Sequence, residues 1–201
     1  MTIRSKVVGP TSITVLEDRP RLARLATTTI ALNQATMVLV MSMTPVHLSG
    51  NGASLTLVGF TISLHVAGMY GLAPLFGALA DRLGRLRIMT LGQIILLVSL
   101  LVTGLGASRD WLVTLGLILL GIGWSASTVA ASTLLTESTS IARRAARQGF
   151  SDFLMNLSGA LGGAVAGLVL FFVGFRGLSF AAISLVLVVV LRIFLESNRR
   201  G

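Results

Sequence analysis

Ile88-Met-Thr-Leu-Gly-Gln-Ile-Ile-Leu-Leu-Val-Ser-Leu-Leu-Val-Thr-Gly-Leu-Gly-Ala107 carries no charged side chain over twenty residues, yet Asp81, Arg82, Arg85 and Arg87 stand just before it and Arg109 and Asp110 just after. A helix of about 20 residues rises about 30 Å, the thickness of a bilayer's hydrocarbon core. An apolar run of that length, fenced by charge at both ends, predicts a membrane-spanning helix. A spanning barrel strand would be about 10 residues long with in-out alternation. This run does not alternate, so a barrel is excluded.

Moving outward, runs of the same kind occupy residues 22–46, 55–80, 111–136, 148–173 and 178–195, which with 88–107 makes six predicted spans. The chain has 201 residues, 54% of them hydrophobic and only 11% charged, and its mean hydropathy is +0.89. A water-facing globular surface cannot be built from that composition. The expected organisation is a polar linker-like segment at 1–21, one six-helix transmembrane domain at 22–196 and a short tail at 197–201. The fold class expected is therefore all-α, a membrane bundle.

Charge sets the expected orientation. Arg4, Lys6, Arg19, Arg21, Arg24, Arg82, Arg85, Arg87, Arg143, Arg144, Arg147, Arg192, Arg199 and Arg200 fall on one side of six spans, and only Arg109 and Arg176 on the other. Positive residues are retained on the cytoplasmic side. Both termini are thus expected in the cytoplasm, with the chain in the inner (plasma) membrane. The net charge of +9 is spread through short gaps rather than gathered on one solvated face with base readers, which argues against nucleic acid as a partner. The first residues lack an apolar core beside their basic ones, so no signal peptide is expected there. With no cysteine in the chain, disulfides and thiolate metal sites are excluded.

Between the second and third spans lies Gly77-Ala-Leu-Ala-Asp81-Arg82-Leu-Gly84-Arg85-Leu86-Arg87. This resembles the G-x-L-a-D-r-x-G-r-k loop signature of the major facilitator superfamily of secondary transporters, with Leu86 where a basic residue is usual. Gly121-Ile-Gly123-Trp124, Leu134-Leu-Thr-Glu137 and Arg147-Gln-Gly-Phe-Ser-Asp152-Phe153 are similar to the fourth and fifth helices of the carboxy-terminal half in bacterial members. The resemblance implies the second six-helix half of a twelve-helix transporter and a gating role for Asp81, Arg82 and Arg85 of the loop motif, in which Gly77 and Gly84 let the helix ends approach closely. It further implies transport of a small solute, with a complementary half or a second copy as partner.

The residues themselves point the same way. Ionisable groups inside a membrane are functional candidates by default. His65, near the middle of the second span, is the deep case, a possible proton carrier or a neutral histidine bonded to a neighbouring helix. Asn33, Gln34, Gln93 and Asn156 are amides that must bond across helices or line a wet pathway, and Trp124 is either packing or a stacking wall. Glu137 and Asp152 are expected to pair with Arg82, Arg85 or Arg147 in a cytoplasmic charge cluster. Gly159, Gly163 and Gly167 form two overlapping G-x-x-x-G units expected to pack against another helix. Pro74 is expected to kink its span.

Enzyme chemistry is not expected. Gly123-Trp-Ser125-Ala-Ser127 fails G-x-S-x-G at its last position, and the two histidines, His47 and His65, stand too early for an intramembrane serine protease. There is no G-x-x-x-x-G-K-[ST] nucleotide loop, and no cofactor or metal is expected. The rival reading is a truncated remnant, or a membrane protein that assembles with or regulates a transporter without transporting.

Overall fold

The computed structural model describes residues 18–199, and these are helical almost throughout. The helices are α1 (Pro20–Met41), α2 (Thr44–Gly50), α3 (Leu55–Gly71), α4 (Ala73–Leu83), α5 (Arg85–Leu105), α6 (Asp110–Glu137) and α7 (Ile141–Ser197). Most of the linker-like segment, including Arg4 and Lys6, lies outside the described residues, as do Arg200 and Gly201. Among the described residues, five helical stretches are long and apolar enough to cross a membrane.

Helix ends fall where the local chemistry puts them. Pro20 opens α1, where its missing N–H costs nothing. Ser54 caps α3, its hydroxyl accepting the Leu57 N–H at 3.2 Å. Two sequence boundaries shift. The run 22–46 breaks after Met41 into the short α2, and the run 55–80 breaks at Leu72, two residues before Pro74. Both breaks have apolar residues on either side, so hydropathy passes over them.

The loop expected at 174–177 is a single non-helical residue, Gly174, with φ 68° and ψ 179°. That φ is left-handed, a region glycine enters without steric cost. A straight α7 of 57 residues would run about 85 Å. Instead Arg143 reaches Asp18 at 2.8 Å and Arg192 donates to the Thr28 hydroxyl at 3.1 Å. Asp18 and Thr28 lie only ten positions apart at the start of α1, so α7 must reverse at Gly174 and return beside its own beginning. Its two legs, 141–173 and 175–197, contain the last two apolar runs, 148–173 and 178–195.

Helix α6 is the core of the bundle and packs on α1, α3, α4 and α5, while α7 packs on α1 and α5. Close approach comes from small residues. A Cβ placed on Gly92 of α5 would stand 2.5 Å from the Ser127 nitrogen and 2.8 Å from the Gly123 carbonyl oxygen of α6. Without a hydrophobic drive between helices in lipid, this contact and interhelical hydrogen bonds hold the bundle. Thr61 bonds Thr114 at 2.8 Å, and Ser99 donates to the Gly116 carbonyl at 2.7 Å.

The connections sort into two ends. One gathers the start of α1, the α4–α5 and α6–α7 turns and the end of α7, with Arg19, Arg21, Arg24, Arg82, Arg85, Arg87, Arg192 and Arg199 lining its clefts. At the other end His47 of α2 stacks on Phe175 beside the Gly174 turn, ring centroids 4.0 Å apart, and donates to the Ala107 carbonyl at 2.7 Å. Arg109 and Arg176 belong to this second end.

Candidate transport wall and charge clamp

At the arginine-rich end the chain turns at Gly84, whose φ of 97° suits glycine alone. The turn sets Asp81 on the last turn of α4 and Arg85 at the first position of α5, where the two side chains pair. Arg85 also crosses to α6, its guanidinium donating from Nη2 to Glu137 Oε1 at 2.7 Å and from Nε to Oε2 at 3.2 Å. This two-pronged contact ties α4, α5 and α6. Of the three candidate arginines, Arg85 holds Glu137. Arg82 and Arg147 form no ion pair among the described residues, and Arg82 lines an open cleft with Arg19 and Arg87. Gly77 faces Val129 of α6 at ordinary contact distance. Asp152 stands apart from the clamp, exposed on α7.

A second clip went unseen in the sequence. Asp18 accepts the Ser140 N–H at 2.7 Å and an Arg143 N–H at 2.8 Å, while the Arg19 N–H donates to the Ser138 carbonyl at 2.9 Å. The carboxylate thus sits at the start of α7, where the helix dipole favours negative charge. Hydrogen bonding from Ser140, aided by the charges of Arg143 and Arg147, holds the Asp18 carboxyl below its usual value.

Inside the bundle the amides separate into two groups. Gln93 donates to Asn33 Oδ1 at 2.9 Å and to the Ser127 hydroxyl at 2.7 Å, and Asn33 donates to the Thr128 hydroxyl at 3.3 Å. These side chains of α1, α5 and α6 are all buried. The knot links three helices and is buried. His65 likewise is fully buried, with Nδ1–H donating to the Leu117 carbonyl at 2.8 Å; its Nε2 has no partner among the described residues.

The other group reaches the surface. Trp124 of α6 donates from Nε1 to Gln34 Oε1 at 3.2 Å, and Tyr70 of α3, 63% exposed, meets the indole edge-on with centroids 6.3 Å apart. Gln34 backs onto α7, its Cγ 3.2 Å from where a Cβ on Gly159 would be. One turn earlier on α7, Asn156 is exposed and donates only to its own helix, to the Asp152 carbonyl at 2.8 Å. Gln34, Trp124 and Tyr70, the last not among the sequence candidates, form one polar and aromatic wall, and Asn156 lies one turn from Gly159, where Gln34 meets α7.

The glycine triplet divides. Gly159 and Gly163 back onto Gln34 and Val38 of α1, but a Cβ on Gly167 would meet nothing within 4 Å. Gly167 instead belongs to an exposed strip with Gly149, Asp152, Asn156 and Ala160. A separate strip on the same leg exposes Phe150, Leu157, Leu161, Leu168 and Phe172. Exposed Phe153 and Phe171 flank the first strip, so its polar character rests on Asp152 and Asn156.

A family profile described as Major Facilitator Superfamily matches residues 26–200. The chain belongs to the major facilitator superfamily. It is 37% identical over 160 residues to the uncharacterized MFS-type transporter YdeG of Bacillus subtilis, covering 79% of this chain and 36% of that protein. To YddS, another uncharacterized MFS-type transporter of Bacillus subtilis, it is 39% identical over 162 residues, 79% of this chain and 37% of the relative. The riboflavin transporter RfnT of Brucella anthropi is 28% identical over 169 residues, 83% of this chain and 42% of its own length. The chain therefore spans well under half the length of these superfamily relatives. All three are named as transporters and none as an enzyme.

Proposed function

We propose that this superfamily member forms the carboxy-terminal half, six crossings in one domain, of a secondary-active transporter that moves a small solute, with a second six-helix half completing the pathway. One observation carries the reading. Asn156 exposes its amide about 15 residues into a leg long enough to span a membrane, and such a group needs a polar partner or water rather than hydrocarbon; Asp152 is exposed one turn nearer the arginine-rich end. The strip they share with Gly149, Ala160 and Gly167 calls for a wet pathway or a partner, and it adjoins the Gln34–Trp124–Tyr70 wall. Transporters of this architecture bind solute between two such halves and expose it alternately to either side. The second half is either another chain or a second copy in the same orientation, and both ends of the chain lie in the cytoplasm of an inner-membrane protein.

In this scheme the Asp81–Arg85–Glu137 clamp, with Gly77, Arg82 and Gly84, acts as the gate latch. It spans the turn that must flex when one half rocks on the other. Proton coupling would rest on His65 Nε2, the ring atom without a partner among the described residues. The buried, carbonyl-bonded ring supports a packing role equally, and flux by His65→Ala across a pH gradient separates the two. For the solute, an exposed phenol beside an indole and an amide suits a flat molecule with hydrogen-bonding edges. The name of the Brucella relative supplies riboflavin as the first probe.

The test is uptake into proteoliposomes. The chain alone and the chain co-reconstituted with a six-helix first half should differ, flux appearing only with both halves unless the chain pairs with itself. A chain that stays monomeric and gives no flux in any combination would mark it as a non-transporting remnant or assembly protein.

A further inference from the structure

We propose that the seam between α1 and the second leg of α7 holds one anionic phospholipid, its phosphate in an arginine cup and an acyl chain in an apolar groove further along the same seam. The cup is a cleft of about 290 Å³ lined by Arg21, Arg24, Arg192 and Arg199 with Glu196 and the apolar walls Leu25 and Leu195. Four arginines and one glutamate leave the lining with a formal charge of +3. Glu196 has a partner of its own, and Arg192 is steered into the cup by its bond to Thr28.

The groove is lined by Ala35 and Leu39 of α1, by Ala181 and Leu185 of the returning leg, and by Leu161 and Val165 of the outgoing one. Helical spacing joins the two parts. On α1, Arg21, Leu25, Thr28, Ala35 and Leu39 share a face, and on α7 so do Ala181, Leu185 and Arg192, with Arg199 in the turn just past the helix end. Leu25 and Ala35 are ten residues apart, about 15 Å of helix, which is the depth of one leaflet. This geometry selects a lipid over a free anion, because the cup lies at the end of the helices, where headgroups lie, and the groove descends from it. Charge selects an acidic headgroup, since basic pockets between helices at a membrane surface bind such lipids. The groove is on the opposite side of the outgoing leg from Asp152 and Asn156, so it does not compete with the solute wall.

Native mass spectrometry of the full chain, purified in detergent with phosphatidylglycerol or phosphatidylcholine, tests this. The wild type should retain one phosphatidylglycerol in preference to phosphatidylcholine. Arg21→Gln with Arg199→Gln should weaken retention about thirtyfold, the worth of two surface arginines. Neither arginine makes a hydrogen bond within the described chain, so folding should survive the change. Arg109→Gln with Arg176→Gln at the other end should change nothing. Glycerophosphoglycerol, the same headgroup without chains, should fail to bind the wild type, and millimolar inorganic phosphate should not displace the lipid. Equal retention of both lipids, unchanged retention in the Arg21/Arg199 variant, or displacement by phosphate would overturn the proposal.

Discussion

Gly92→Ala should be strongly damaging for a change of one methyl group. The new Cβ would lie 2.5 Å from the Ser127 nitrogen and 2.6 Å from its Cβ, on a neighbouring helix whose backbone cannot swing aside. Ordinary carbon contacts need about 3.5–4.0 Å, so α5 and α6 would have to part by about 1 Å. Overpacking of this kind costs about 1–3 kcal/mol, and a rigid backbone puts it at the upper end. Parting the helices would also stretch the neighbouring Gln93–Ser127 bond of 2.7 Å, worth about 1 kcal/mol. The helix preference for alanine returns about 1 kcal/mol, leaving a net loss of about 3 kcal/mol. Gly167→Ala is the matched control. It meets nothing within 4 Å and should be neutral or stabilising by up to about 1 kcal/mol. Thermal unfolding in detergent, followed by circular dichroism and by monodispersity, reads both. If the two variants shifted alike, or Gly92→Ala unfolded with the wild type, the packing argument for α6 as the core would fail.

Three further outcomes follow from the same geometry. Gln93→Leu strands Asn33 Oδ1 and the Ser127 hydroxyl in the core and should cost about 1–2 kcal/mol, with an Asn33/Gln93 double-mutant cycle giving about 0.6 kcal/mol of coupling, the usual value between membrane helices. An Arg85→Ala/Glu137→Ala cycle should give no more than about 1 kcal/mol, falling with added salt, because the Glu137 side chain is 51% exposed. For Asp18 the folded carboxyl is depressed below its usual value of 3.8, so its clip is fully present above that value and is lost as pH falls through the lower folded one. Hydrogen exchange at the Ser140 amide, compared with Asp18→Ala, which removes the acceptor, should show protection at pH 6 that the variant lacks, with the difference shrinking as the carboxylate is protonated.

Hydropathy made the bundle readable because an apolar run of membrane length has few other uses. The same measure is blind to breaks between apolar neighbours, so it passes over α2 and the Leu72 break and reads the one-residue reversal at Gly174 as a longer loop. The loop signature marked where the clamp lies, since Asp81 and Arg85 are one turn apart. The choice of Arg85 as Glu137's partner, 52 residues away, needed the fold. Asp18 gave no sign at all, because its partners lie more than 120 residues on. The G-x-x-x-G pattern drew attention to α7, whereas α6 makes the closest approaches with Gly116, Gly121 and Gly123, whose spacing matches no simple repeat. Small residues serve tight packing and open pathways alike, and Gly167 is on the open side. Amides show a similar ambiguity: Asn33 and Gln34 are adjacent, yet a helix turns them 100° apart, one into the buried knot and one to the surface wall.

The central claim is that the Asp152–Asn156 face meets protein across the transport pathway and not lipid. Benzoyl-phenylalanine placed at position 156, with position 194 as a lipid-facing control, tests it by photocrosslinking in native membranes. Position 156 should yield a covalent product with a second six-helix chain of the same superfamily, its own copy included, while position 194 labels lipid. Lipid adducts alone from position 156 would contradict it.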